Sequence, residues 1–233
     1  MLRPMHLLHE AFAALILAMA LATQGIAIAE PACPSSQLTL STPTVFTTSA
    51  AALDTSYLLN RLRYDLVTGA LHLSYCCSIN PTDMVVRDAY DVTGVPAGTP
   101  VSLTVEVPVN GEIYDSGSCG GSGCGGSFLA VIHHGSDSTS YLFSSPPLYF
   151  GAHVAFSGLV SLPLTIVAGQ PETLGFEFWA RRSLGGSHGA EADGVIRFTG
   201  LSEGQSVISC QGFAGQITPT HRASWGALKT LYR

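Results

Sequence analysis

The chain has 233 residues, 46% of them hydrophobic and only 11% charged, enough apolar sequence for one domain with a full core. Sixteen acidic residues against ten basic ones leave a net charge of −6, and the single lysine, Lys229, joins arginines that are scattered along the sequence. That distribution argues against nucleic acid and against an anionic membrane surface as partners, because both select a clustered basic footprint.

The N-terminus comes first. Arg3 precedes the apolar run AFAALILAMALA, which is short for a membrane span, and Ala27-Ile28-Ala29 follows with the small-residue pattern of a cleavage site. Residues 1–29 are therefore expected to be a signal peptide, residues 30–215 the folded domain, and residues 216–233 a linker and tail. A permanent N-terminal anchor is the alternative, and it would need a longer apolar stretch. All six cysteines, Cys33, Cys76, Cys77, Cys119, Cys124 and Cys210, lie beyond the leader, and in an exported protein an even number reads as disulfides.

The stretch RLRYDLVTGALHLSY reads as a hairpin turning at Thr68-Gly69, with Leu62, Tyr64 and Leu66 on one face before the turn and Leu71, Leu73 and Tyr75 after it. Cys77 continues that inward set, whereas Cys76 falls with His72 and Ser74. Vicinal cysteines on a strand point to opposite faces, so these two are expected to pair with different partners. Asp83, Asp88 and Asp91 around MVVRDAYD suggest calcium as the one conceivable cofactor, although no EF-hand spacing supports it; the plainer reading is solvated carboxylates at strand ends. VSLTVEVPVNGEIYD alternates Val101, Leu103, Val105 and Val107 against polar residues and then presents Asn110-Gly111, a strong hairpin signal.

Residues 116–137, SGSCGGSGCGGSFLAVIHHGSD, admit three chemistries. A phosphate cradle needs a lysine, a hydroxyl residue and a following helix, and here an apolar β-type run follows instead. A metal site could draw on His133 and Asp137, but His133 and His134 are adjacent and must face opposite ways on a strand. A stapled loop fits best: three glycines among the four residues between Cys119 and Cys124 let the backbone bring the two sulfurs together. Cys33, Cys76, Cys77 and Cys210 are left without an assigned pairing, Cys33 and Cys210 lying near the two ends of the domain.

Further strands are expected at FLAVIHH, TSYLFSS, YFGAHVAFSG, LVSLPLTIV, TLGFEFWARR, DGVIRFTGL and QSVISCQGF. In GFEFWARR, burial of Phe176 and Phe178 leaves Glu177, Trp179 and Arg181 together on the opposite face. A Trp flanked by a carboxylate and a guanidinium can stack on a sugar ring and hydrogen-bond its hydroxyls, with Arg197 on the next strand as a possible neighbour. About ten short strands with frequent turn signals and no amphipathic helix predict an all-β antiparallel sandwich of jelly-roll type. No Gly-x-Ser-x-Gly, His-Glu-x-x-His or acid pair of diagnostic spacing is present, so no catalytic residue is assigned; a triad assembled from distant positions stays open.

In the C-terminal third, AGQPETLGFEFWARRS and GAEADGVIRFTGLSEGQSVISCQGF place Ala168, Gly169 and Pro171 before a strand, Ala192 and Asp193 at the next, and Gly200, Leu201, Glu203, Gly204, Ser209 and Gly212 at the close. This pattern resembles the domain ends of bacterial exported proteins of the PEP-CTERM-associated kind. The resemblance implies an exported, surface- or matrix-associated β-sandwich. No Pro-Glu-Pro, hydrophobic anchor or basic cluster follows Gly212, so sortase-like processing is not implied. The tail ITPTHRASWGALKTLYR carries Trp225, Leu228 and Leu231 at three-residue spacing, which reads as a short helix docking on secretion or cell-surface machinery, or equally as a frayed end packed back on the domain. The expected function is that of a secreted, non-catalytic structural or binding protein. A carbohydrate-binding module using Trp179 is the first alternative and a secreted hydrolase the second.

Overall fold

A computed structural model describes residues 32–40, 45–76, 80–115, 125–149, 151–182 and 188–215. The leader, Cys77, Cys119, Cys124 and the tail residues Trp225, Leu228 and Leu231 lie outside the described residues. From Cys33 onward the described residues belong to one compact unit.

Among them are fourteen strands and no helix: β1 (Ser36–Leu40), β2 (Val45–Thr48), β3 (Ala52–Tyr57), β4 (Asn60–Asp65), β5 (Ala70–Cys76), β6 (Thr82–Thr93), β7 (Pro100–Asp115), β8 (Gly126–His134), β9 (Asp137–Ser144), β10 (His153–Val167), β11 (Glu172–Arg182), β12 (His188–Val195), β13 (Arg197–Thr199) and β14 (Ser206–Ser209). One sheet has the order β2-β1-β6-β11-β8-β9 with β14 also on β6, and the other has the order β10-β7-β12-β5-β4-β3 with β13 also on β7. All pairings are antiparallel.

The pairs are nested. β8 pairs β9, β7 pairs β10, β6 pairs β11 and β5 pairs β12. Those eight strands form one long doubled hairpin that alternates between the two sheets, which is the jelly roll. β1 and β2 widen one sheet, and β3 and β4 the other.

Strand alternation builds the core. Leu62, Tyr64, Leu66, Leu71, Leu73 and Tyr75 are all buried, as the hairpin reading requires, and Gly69 turns it with φ 76°. Facing them from the other sheet are Met84, Val86, Phe128, Ile132, Phe176 and Phe178, each worth about 1.5–3 kcal/mol when fully buried. Phe128 of β8 stacks on Phe156 of β10, with ring centroids 5.0 Å apart, joining the two sheets.

The ends are clamped together. Cys33 is bonded to Cys210 with Cα atoms 5.6 Å apart, closing a loop of 177 residues. The fully buried Asp88 accepts from the Gln211 N–H, and the Gln211 side-chain amide donates to Pro34 O at 3.0 Å. Cys76 faces outward with His72 and Ser74 and is itself disulfide-bonded.

Three sequence expectations are corrected. Asn110-Gly111 is not a turn: β7 runs straight through it, paired with β10 and β12 on its two edges. Gly111 is required instead by close approach, since a Cβ there would lie 2.3 Å from Glu191 O and 2.6 Å from Phe156 Cζ. YFGAHVAFSG and LVSLPLTIV contribute to one strand, β10, because Pro163 sits on a strand at the sheet edge where its missing N–H breaks no ladder. DGVIRFTGL divides between β12 and β13 around the buried Ile196.

Candidate ligand-binding face

On β11 the buried residues Phe176, Phe178 and Ala180 point into the sandwich, so Glu177, Trp179 and Arg181 share the outer face. The register brings neighbours from both sides: Trp179 lies opposite Asp83 of β6 and Leu129 of β8, and Glu177 opposite Val85 and Val131. One step along, Gly175 lies between Arg87 and His133. Having no side chain there brings both neighbours in, and a Cβ would sit 3.4 Å from His133 Cβ and 3.8 Å from Arg87 Cγ.

The polar centre is an Asp83, Glu177 and His133 cluster. His133 Nε2 is 2.9 Å from Glu177 Oε2, a pair that is partly exposed, at 41% and 24%. Asp83 is less well served, and its buried Oδ1 has no hydrogen-bond partner. Burial pushes the Asp83 carboxyl up to about 6, and the Glu177 charge adds to that rise. The Met84 N–H and the charges of Arg87 and His133 pull it part of the way back.

Trp179 is half-buried, and the Arg181 guanidinium lies over its ring, 4.8 Å from the centroid. One face of the indole is therefore covered by an exposed arginine. The grouping of Glu177, Trp179 and Arg181 expected from alternation is present. Arg197 is not part of it, because β13 belongs to the other sheet and pairs Arg197 with Glu106 of β7.

The other candidate clusters do not converge. Asp88 points into the protein while Asp83 and Asp91 face outward, and at about 3.3 Å per residue the latter two stand roughly 26 Å apart along β6. The three aspartates therefore do not converge: Asp83 and Asp91 lie near the two ends of β6, Asp91 accepting from Gly169 N at 2.9 Å, whereas Asp88 departs from the strand-end reading because it is buried mid-strand and anchors Gln211. His133 is engaged with Glu177, whereas Asp137 lies opposite His134, whose Nε2 is 3.4 Å from Glu172 Oε2. Among the described residues no group of three or more His, Cys, Asp or Glu could hold a metal ion.

Asp83 and His133 are the members that the sequence did not join to Trp179. Alternation along TDMVVRDAY would have put Asp83 outward, but the pairing that sets it against Trp179 is long-range. Elsewhere, an open depression of about 370 Å³ lies between β7 and β10, lined by Ser102, Thr104, Thr165 and Gly200 among others, with no titratable side chain. It offers little directional chemistry. Compared with known proteins, the chain matches no family model and no curated sequence.

Proposed function

We propose that this is an exported, disulfide-closed binding protein that holds a saccharide, without chemistry, on the outer face formed by β6, β11 and β8. The observation that carries this reading is the half-buried Trp179, capped by the Arg181 guanidinium, sharing one outer face with the partly exposed Glu177 and His133 and lying opposite Asp83 in the sheet. A sugar offers both complements at once: hydroxyl donors for Asp83 and Glu177, and a C–H face for an aromatic ring. Arg181 would swing off the indole or stack on the ligand as it docks. The disulfide is compatible with an extracellular setting, and no helix among the described residues is long and apolar enough to cross a membrane. Export through residues 1–29, bacterial surface association and tail docking through Trp225, Leu228 and Leu231 complete the proposal.

Glycan-array screening of the wild type and Trp179→Ala tests it. Binding to a defined glycan class that is lost in a folded Trp179→Ala supports the reading, and an empty array with folded protein refutes it. The raised Asp83 carboxyl with the Glu177 carboxylate on the neighbouring strand also favours a second reading, a glycoside hydrolase with Asp83 as acid. Release of shorter products from neutral hexasaccharides at pH 5 would select it, and unchanged hexasaccharide would remove it.

A further inference from the structure

We propose that the protein attaches to a phospholipid bilayer by one end of the sandwich, through the tip of the β3–β4 hairpin, a function separate from saccharide binding.

The tip departs from the chemistry of its turn. Tyr57 pairs with Asn60, so Leu58 and Leu59 form a two-residue loop, a place that Asn-Gly or another glycine-containing pair normally fills. Leu58 has φ 54°, the one positive value at a non-glycine residue among the described residues. A bulky side chain strains that conformation, and strain kept at an exposed turn points to a use for the side chain. Both leucines face solvent, at 80% and 67%, with Tyr57 half exposed behind them. The hairpin base is pinned: the buried Asn60 accepts from the Cys76 N–H at 2.8 Å, and its side-chain amide donates to Tyr57 O.

Shape, depth and charge identify what covers the tip. Tyr149, 68% exposed, stands at the same end of the molecule, because Ala152 donates to Tyr149 O and accepts from the Asp115 N–H at the end of β7. Sheet order puts four strand spacings, about 19 Å, between β4 and β10, so one broad, flat surface meets both points where a pocket sized for one hairpin meets only the first. Polarity then changes with depth. The leucines lead, Tyr57 follows, and Arg61 lies two residues behind Leu59, about 7 Å back. That is the order of a bilayer interface: acyl chains, aromatic belt, phosphates. Arg61 is held by Asp54 at 2.8 Å, and Arg63 shares its exposed face. The acids Glu191 and Asp193 on β12 lie two strands from β4, and Glu112 on β7 lies three, so a bilayer met at this corner finds the guanidiniums first. The chain's net charge of −6 selects a zwitterionic bilayer over an anionic one.

The experiment is cosedimentation of the exported protein with phosphatidylcholine vesicles, comparing wild type with a Leu58→Asn, Leu59→Gly double variant. Two leucines bury fewer methylenes than a myristoyl chain, which binds at about 10⁴ M⁻¹, so wild type should be half bound near about 1 mM lipid. The variant should bind at least roughly tenfold more weakly while its denaturation midpoint holds or rises, because Asn-Gly suits the turn. A merely structural role for the leucines predicts a lower midpoint instead. In Leu59→Trp, vesicles should shift the added emission to the blue and brominated acyl chains should quench it. Folded wild type that stays in the supernatant, or a double variant that sediments like wild type, overturns the proposal. A wild-type dimer that the double variant dissolves, without vesicle binding, also overturns it and makes a second copy the occupant. None of these readouts involves a glycan, so this proposal and the saccharide reading fail separately.

Discussion

Replacing Asp83 by Asn should make the protein more stable, because the carboxyl is charged at neutral pH in a place that resists charge. The unfolded chain releases this proton near 3.8, whereas the folded protein holds it until about 6. Between those values the native state binds more protons than the unfolded one, so stability falls as pH rises through the window and the loss is complete above about pH 6. The difference of about two pKa units corresponds to roughly 3 kcal/mol, and solvent screening of a partly exposed group reduces it to about 1–2 kcal/mol. Asp83→Asn is nearly isosteric and keeps an oxygen for the Met84 N–H, so at pH 7 it should gain that amount and raise Tm by about 3–6 °C. At pH 3.5 the gain should vanish. Burial also raises the Asp88 carboxyl, so a residual slope of the same sign remains in the variant. Urea titrations of both proteins at half-unit intervals from pH 3.5 to 7.5 measure this directly. An Asp83→Asn protein that is less stable than wild type at pH 7, with an unchanged pH slope, would refute the reasoning.

Gly111→Ala should cost roughly 3 kcal/mol or more, because the new methyl meets the Glu191 carbonyl and the Phe156 ring inside a paired strand; chemical denaturation checks this, and a near-neutral change would restore the turn reading. Losing the bond between Cys33 and Cys210, which closes a 177-residue loop, should lower stability by up to about 5 kcal/mol on the chain-entropy account, read as the denaturation midpoint of a Cys33→Ser, Cys210→Ser double variant. Arg181→Ala uncovers the indole, so in a Trp225→Phe background the remaining tryptophan emission should shift to the red, while stability changes by no more than about 1 kcal/mol.

Much of the fold was legible because the jelly-roll strands alternate cleanly. Leu62, Tyr64, Leu66, Leu71, Leu73 and Tyr75 were placed by period alone, as were Glu177, Trp179 and Arg181 on one outer face. β1, β2 and β3 escaped notice because short added strands carry little pattern; β2 is almost wholly exposed. Asn110-Gly111 misled because the dipeptide is a local turn signal, while the demand on Gly111 comes from Glu191 and Phe156, far off in sequence. Arg197 lies on β13, two strands after Trp179, and because β12 and β13 both pair with β7 in the opposite sheet, nearness in the chain does not bring the two together. Asp88 looked like a surface carboxylate because nothing local announces that Gln211, next to a cysteine at the domain's other end, will satisfy it. The Asp83 and Trp179 juxtaposition belongs to the same class: each residue's face was readable, their register was not.

The central claim is that a saccharide sits on the outer face around Asp83 and Trp179. The most direct measurement is a ¹H–¹⁵N map of shift changes as a hexasaccharide that binds the protein is titrated in at pH 7. The account predicts that the largest changes fall on Asp83, Val85, His133, Glu177, Trp179 and the Trp179 indole N–H. Changes concentrated around the depression near Ser102 and Gly200, with Trp179 and Asp83 unmoved, would contradict it.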